Sequence, residues 1–221
     1  MVNGKSFADV GGLWGTVNET VCLASKSGAK NVTMIDVQPA NSIYWPAFRE
    51  RCKEFGVKEY NEIIADLCDN NNVTLIKKFD IVHCSGILYH VSDPICFIRN
   101  IALLSKEYFI IGSMLIPEKI ETKKGTLHTP VGTSHCVPLL DKKTKDILIE
   151  HFNSLNVKVG GINAPKPEFI SQIDFKIRTG PWWYLFTAET MKNMVELFGF
   201  EVLDSSISNQ GAQNLLCKIK K

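Results

Sequence analysis

Ser6-Phe7-Ala8-Asp9-Val10-Gly11-Gly12-Leu13-Trp14-Gly15 is the stretch whose reading decides the fold. A short apolar strand ends in a glycine cluster with an acidic residue beside it, and the chain then turns into a helix. Glycines at such a turn let the backbone approach a ligand closely, and the N–H groups of the helix start favour an anion. A second strand, Val32-Thr33-Met34-Ile35-Asp36, also closes on a carboxylate. Asp36 follows Gly15 by about 20 residues, the spacing at which an acidic residue meets ribose hydroxyls in a nucleoside-binding βαβ unit. The pair of strands therefore points to an adenosine-type cofactor.

The 221 residues suffice for one sizeable α/β domain, and a hydrophobic content of 45% supplies its core. A net charge of +2 argues against a strongly basic, sequence-independent phosphate binder. The seven cysteines are dispersed and no two form a C-x-x-C pair, so they read as reduced thiols of a cytoplasmic protein rather than a disulfide frame or a zinc site. No apolar signal segment opens the chain, and the most apolar run, 108–117, is too short to span a membrane.

Outward from the first turn, strands and helices alternate. A helix capped by Thr16 is expected through Lys26, then a strand to Val37, a helix over about 46–54 and a strand at 62–65 closing in Asp66. The fourth strand, 79–84, leads to Asp93-Pro94, where Asp suits the N-cap and Pro the first helical position. An apolar fifth strand, 108–115, predicts a buried parallel sheet. From Pro117 to Pro181 the prolines and glycines leave one clear helix, about 144–155, and the segment reads as an insertion covering a site. A helix capped by Thr187 and two closing strands complete a Rossmann-like, doubly wound, mostly parallel seven-stranded sheet with a late antiparallel edge strand. The whole chain, 1–221, is read as one domain.

Here the chain resembles the class I S-adenosylmethionine-dependent methyltransferases over nearly all its length. The segment from Asp9 to Gly15 resembles their acidic, glycine-rich first motif, Asp36 their ribose-binding carboxylate, and Ala65-Asp66-Leu67 their adenine-binding segment. Phe79-Asp80-Ile81-Val82, Gly86-Ile87-Leu88-Tyr89-His90 and Asp93-Pro94 resemble the fourth motif, and Thr187 to Phe200 the late helix and strand. The resemblance implies S-adenosylmethionine as cofactor, held by Asp9, Gly11, Gly12, Leu13, Trp14, Gly15, Asp36, Val37, Asp66, Leu67, Ser85 and Tyr89. Leu13 stands where the family commonly has glycine, which implies a bulkier turn beside the cofactor. Many relatives carry helices before the first strand that lid the cofactor. The chain starts almost directly on that strand, so the insertion or a partner subunit is expected to supply the lid.

Several residues keep two readings. Asp9 either orients the cofactor's ammonium or hydrogen-bonds the loop, and Asp36 and Asp66 serve a ligand or cap helices. His90, His128 and His135 are the candidates for a general base, against the plain alternative of structural or surface histidines. Of Trp182-Trp183-Tyr184, two are expected in the core and at least one on a substrate pocket or an interface, while Arg178 suits a substrate carboxylate or phosphate or plain solvation. The expected activity is methylation, on oxygen, of a small molecule or sugar without a metal. Modification of a tRNA wobble uridine is the alternative, because Leu88-Tyr89-His90, Pro181-Trp182-Trp183 and Gly199-Phe200 also resemble that uridine family. A cofactor-binding subunit without catalysis of its own is the third reading, and a homo-oligomer fits any of them.

Overall fold

A computed structural model describes residues 1–14, 19–163 and 181–220. Strand β1 (Ser6–Val10) runs into a 3-10 turn at Gly12–Trp14, followed by α1 (Thr20–Lys26), β2 (Asn31–Asp36), α2 (Tyr44–Glu54) and β3 (Asn61–Ile64). Then come α3 (Asn70–Leu75), β4 (Phe79–Ser85), α4 (Pro94–Leu104) and β5 (Ser105–Met114). Past β5 lie β6 (Lys119–Thr122), β7 (Gly125–His128), β8 (Ser134–Cys136), α5 (Lys142–Ser154) and β9 (Tyr184–Phe186). The chain closes with α6 (Ala188–Leu197), β10 (Phe200–Ile207) and β11 (Ala212–Ile219).

Seven strands form the main sheet in the order β10-β11-β5-β4-β1-β2-β3. β1 pairs in parallel with β2 on one side and β4 on the other, so the chain reverses its winding there. Such a switch point opens a crevice at the carboxyl ends of the strands. The antiparallel pairing comes from the late hairpin: β11 runs against both β5 and β10.

Two apolar layers sandwich the sheet. One holds Phe7, Leu13, Met34, Trp45, Phe48 and Ile81 under α1 and α2. The other packs Val82, Cys84, Phe109 and Ile111 against Ile98, Met191 and Val195 of α4 and α6. Alternation along each strand sends neighbours to opposite layers, which is why both read as near-continuous apolar runs.

Helix starts follow their capping chemistry. Asp93 accepts from Cys96 N at 3.0 Å ahead of Pro94, and Thr187 caps α6. The α1 helix begins at Thr20 with Glu19 in the cap position, later than the expected cap at Thr16, which lies outside the described residues along with Gly15 and Arg178. Helix α3 has no counterpart among the expected elements. Its Asn-rich start reads as loop, yet Asp69 caps it through Asn71 N at 2.9 Å and Val73 fixes it to the core.

The segment beyond β5 is more regular than expected. β6 and β7 form a hairpin, and β8 pairs with β9, which lies beyond 181. They share a third apolar cluster with α5, in which Ile120, Val137, Leu148, Phe152, Trp182 and Leu185 meet Met114 at the end of β5.

Candidate active site

The carboxyl ends of β1, β2 and β4 bring the sequence-predicted residues together. Gly11 leaves β1 at φ 75°, a left-handed conformation that suits glycine, and its N–H donates to Ile35 O at 2.8 Å. A side chain there would collide with Ile87, which reaches over from the end of β4. One at Gly12 would collide with the Asp9 carboxylate. The turn therefore rests directly on Asp9, which is buried below it.

Asp36 ends β2 at 4% exposure. Its Oδ1 accepts from Gln38 N at 3.0 Å and its Oδ2 from Leu13 N at 3.4 Å, so the carboxylate ties the strand end to the glycine turn. Burial raises its pKa to about 6, opposed by those backbone hydrogen bonds. The Leu13 side chain does not crowd the site. It is fully buried in the layer under α1 and α2 and anchors the turn from below, which corrects the expectation of a bulkier passage beside the cofactor. Val37 is exposed. Next to it, Asp66 is exposed and accepts from Cys68 N at 2.8 Å, while the Leu67 side chain is in the core and its carbonyl accepts from Asn100 Nδ2 at 2.7 Å.

Two side-chain pairs in this cluster escaped sequence reasoning. His83 of β4 stands in register with Asp9, and its Nδ1 lies 2.7 Å from Asp9 Oδ1. Arg51 of α2 donates through Nε to Glu19 Oε2 at 2.7 Å and through a second nitrogen to Leu13 O at 3.1 Å, so it holds the chain on both sides of residues 15–18. Both depend on which strands and helices become neighbours. A single sequence shows that only once the strand order is known.

Gln38 was also missed. Its side chain is fully buried and neither its Nε2 nor its Oε1 has a hydrogen-bond partner. Its backbone is spent, with N–H on Asp36 and carbonyl accepting from Trp45 Nε1 at 3.0 Å.

On the β4 side, Ser85 is exposed and donates to Asn214 Oδ1 at 3.4 Å. Tyr89 is half-buried with its ring edge-on to Trp182 at 5.1 Å, and burial pushes its phenol up to about 12. Trp182 in turn meets Phe152 at 5.0 Å. Of the three consecutive aromatics, only Trp182 is buried, one fewer than expected; Trp183 and Tyr184 are half-buried. Two hydrogen bonds fasten this region to the end of β4: Trp183 N donates to Tyr89 O at 2.7 Å, and His90 Nδ1 lies 2.9 Å from Pro181 O. A carbonyl only accepts, so His90 carries its proton on Nδ1.

His135 sits on β8 opposite Leu185, half-buried, with Nε2 at 3.1 Å from Thr129 Oγ1. Burial lowers its pKa below the ordinary imidazole value. β9 is bridged to the end of β5 through Phe186 and Leu115, which sets this ribbon at the carboxyl ends of the strands. His128 stands apart, exposed at the open end of the β6–β7 hairpin opposite Lys119. An open hollow of about 460 Å³ on that hairpin and α5, lined by Glu121, Thr122, Lys123, Glu150, His151 and Ser154, includes none of the strand-end residues. The chemistry argues for the strand ends, where buried carboxylates converge, over this hollow.

No family model matches the chain. It is 29% identical over 147 residues to a ubiquinone biosynthesis O-methyltransferase of Actinobacillus pleuropneumoniae serotype 7 (strain AP76), a match covering 65% of this chain and 58% of that relative's length. Among solved structures, magnesium protoporphyrin IX methyltransferase (ChlM) from Synechocystis PCC 6803 with bound SAH superposes with a TM-score of 0.58 at 13% identity, covering 99% of this chain and 75% of that one. An O-methyltransferase family protein from Burkholderia thailandensis superposes with a TM-score of 0.61 at 11% identity, over 98% and 51% of the two chains.

Proposed function

We infer that this chain, which has the fold of the class I S-adenosylmethionine-dependent methyltransferases, binds that cofactor at the ends of β1 and β2 and methylates an oxygen of a small molecule or sugar. The observation that carries the reading is the buried Asp36 carboxylate at the strand end, tied to the glycine turn. Its chemistry fits the cofactor. A carboxylate only accepts, and vicinal ribose hydroxyls supply two donors. Gly86, where the turn after β4 begins, leaves open space above its backbone on the other side of the switch point.

In this reading Asp36 holds the ribose, with Val37, Asp66 and Leu67 alongside the adenine. Asp9 supports Gly11 and Gly12 from below, and Leu13 and Trp14 continue the turn; Gly15, outside the described residues, is assigned to the site by the resemblance alone, and Ser85 and Tyr89 border the methyl-acceptor side. The bound cofactor supplies a methyl group on a positive sulfur, ready for in-line displacement. The chain's own part is then to orient an acceptor hydroxyl, exclude water and take up the hydroxyl proton. His135 suits the last task. In the tautomer whose Nε2–H donates to Thr129 Oγ1, its Nδ1 keeps a lone pair, and burial lowers the pKa, which favours the neutral ring. His90, held to Pro181 O just before the Asp93-Pro94 helix start, is the second candidate. His128 is the weakest of the three, being exposed.

The described residues between Pro117 and Pro181 are assigned the cover over the acceptor, a role supported by the aromatic cluster that joins Trp182 to Tyr89. The oxygen acceptor draws support from the O-methyltransferase named among the relatives. No described helix is long and apolar enough to cross a membrane.

Incubation with methyl-labelled S-adenosylmethionine and fractionated metabolites tests the reading. Label on a small hydroxyl compound is the expected result. Transfer only to tRNA would replace the acceptor class. Cofactor binding with turnover only beside a second protein would make the chain a cofactor-binding subunit.

A further inference from the structure

Past the end of β2 the strand alternation continues, with Asp36 and Gln38 buried and Val37 between them 48% exposed. The Gln38 amide is the anomaly. Other buried amides keep at least one end paired: Asn100 Nδ2 donates to Leu67 O at 2.7 Å, and Gln213 Nε2 donates to Ser205 Oγ at 3.0 Å. Gln38 alone, among the described residues, has a buried side-chain amide with both ends unpaired. A methionine or leucine would fill the same volume with no such cost, since an unpaired buried polar group weakens the fold. A carboxamide in this place is therefore paired in some other state of the protein.

The neighbours indicate which state. The Gln38 backbone donates to the same Asp36 carboxylate that reaches the glycine turn, so the residue that carries the unpaired amide adjoins the proposed nucleoside subsite. The Leu13 N–H bond covering Asp36 is long, at 3.4 Å, and is readily given up to a better donor. We propose that the Gln38 carboxamide is a cofactor-binding group, hydrogen-bonding the nucleoside part of the cofactor next to Asp36. This rests on the reading of the strand ends as an adenosine-cofactor site. A carboxamide donates and accepts at once, which matches a ribose hydroxyl or the adenine edge, each offering both functions.

The test separates binding from structure by sign. Gln38→Leu and Gln38→Met remove the polar ends and keep the bulk. Thermal unfolding of the ligand-free chain and calorimetry with S-adenosylhomocysteine are measured on each variant and on the natural chain. The expected result is a melting temperature unchanged or raised, with affinity lowered about five- to tenfold for the loss of neutral hydrogen bonds. Natural-chain binding with unaltered affinity in both variants overturns the Gln38 assignment alone. Lowered stability in both variants, or failure of both to fold, makes Gln38 structural and overturns it too. A natural chain that does not bind S-adenosylhomocysteine overturns the cofactor site and the Gln38 assignment with it.

Discussion

The glycine turn at the end of β1 and the aromatic cluster around Trp182 are held by opposite means. Around the turn, Asp9, Glu19 and Asp36 are buried at 2%, 2% and 4% exposure and tied by charge and hydrogen bonds to His83, Arg51 and backbone N–H groups. In the aromatic cluster, Trp182, Phe152 and Leu185 meet as close-packed rings and aliphatic chains, at 3%, 0% and 0% exposure. A charged cluster of this kind is expensive to keep without a ligand, whereas a dry aromatic cluster stabilises itself. The difference separates a region held by polar pairs, which a ligand would relieve, from one held by packing alone.

The comparison breaks most visibly at Trp182. Trp182→Ala should cost about 3–5 kcal/mol of folding stability, read by urea unfolding, through the cavity left among Tyr89, Phe152 and Leu185. Its effect on S-adenosylhomocysteine affinity, measured well below the transition, should be small. A large loss of affinity would join the two regions into one.

pH sharpens the other side. The pKa of Asp36 is raised on folding from 3.8 to about 6, so the folded chain holds that proton more tightly than the unfolded one. Its contribution to stability is fully present below about pH 4 and is lost as pH rises through about 6, at most about 3 kcal/mol. Glu19, also raised by burial, adds in the same direction. Urea unfolding from pH 4 to 7 should show the natural chain losing stability relative to Asp36→Asn. Cofactor affinity should move the opposite way and rise through about pH 6, since ribose hydroxyls donate best to the ionised carboxylate.

Asp36→Ala should then lower S-adenosylhomocysteine affinity by about 2–3 kcal/mol in calorimetry, the loss of charge-assisted hydrogen bonds. Equal affinities would remove Asp36 from the site. The smallest expected effect lies at His128: being exposed, His128→Ala should change methyl transfer less than about twofold in an initial-rate assay.

The nucleoside half was legible because its signals are local. Glycine after an apolar strand, a carboxylate closing the next strand and Asp-Pro at a helix start each announce themselves within a few residues. The side-chain pairs of Asp9 with His83 and Arg51 with Glu19 span 74 and 32 residues, and no local pattern carries them. The β6–β7 hairpin was legible in principle: Ile120 and Thr122 alternate with charged residues, and Gly125 closes the turn at φ 140°. The prolines around it hid the signal. The β8–β9 pair could not be read this way, since Ser134 meets Phe186 across most of the segment.

The order β10-β11-β5-β4-β1-β2-β3 also leaves two rims of the sheet without a neighbouring strand. One rim of the sheet is β10, whose outer stretch exposes Glu201, Asp204, Ser205 and Ser206 and carries a register shift between Val202 and Asp204. The other is β3, four residues long, with Glu62 held by Arg49 at 2.6 Å. Short length, charge and a break in register all discourage a second sheet from zipping on. The apolar strand β5 is shielded only by β11, its partner from Met114 with Ala212 to Tyr108 with Lys218. A chain cut before Ala212 would present that strand bare, and self-association through β5 would follow.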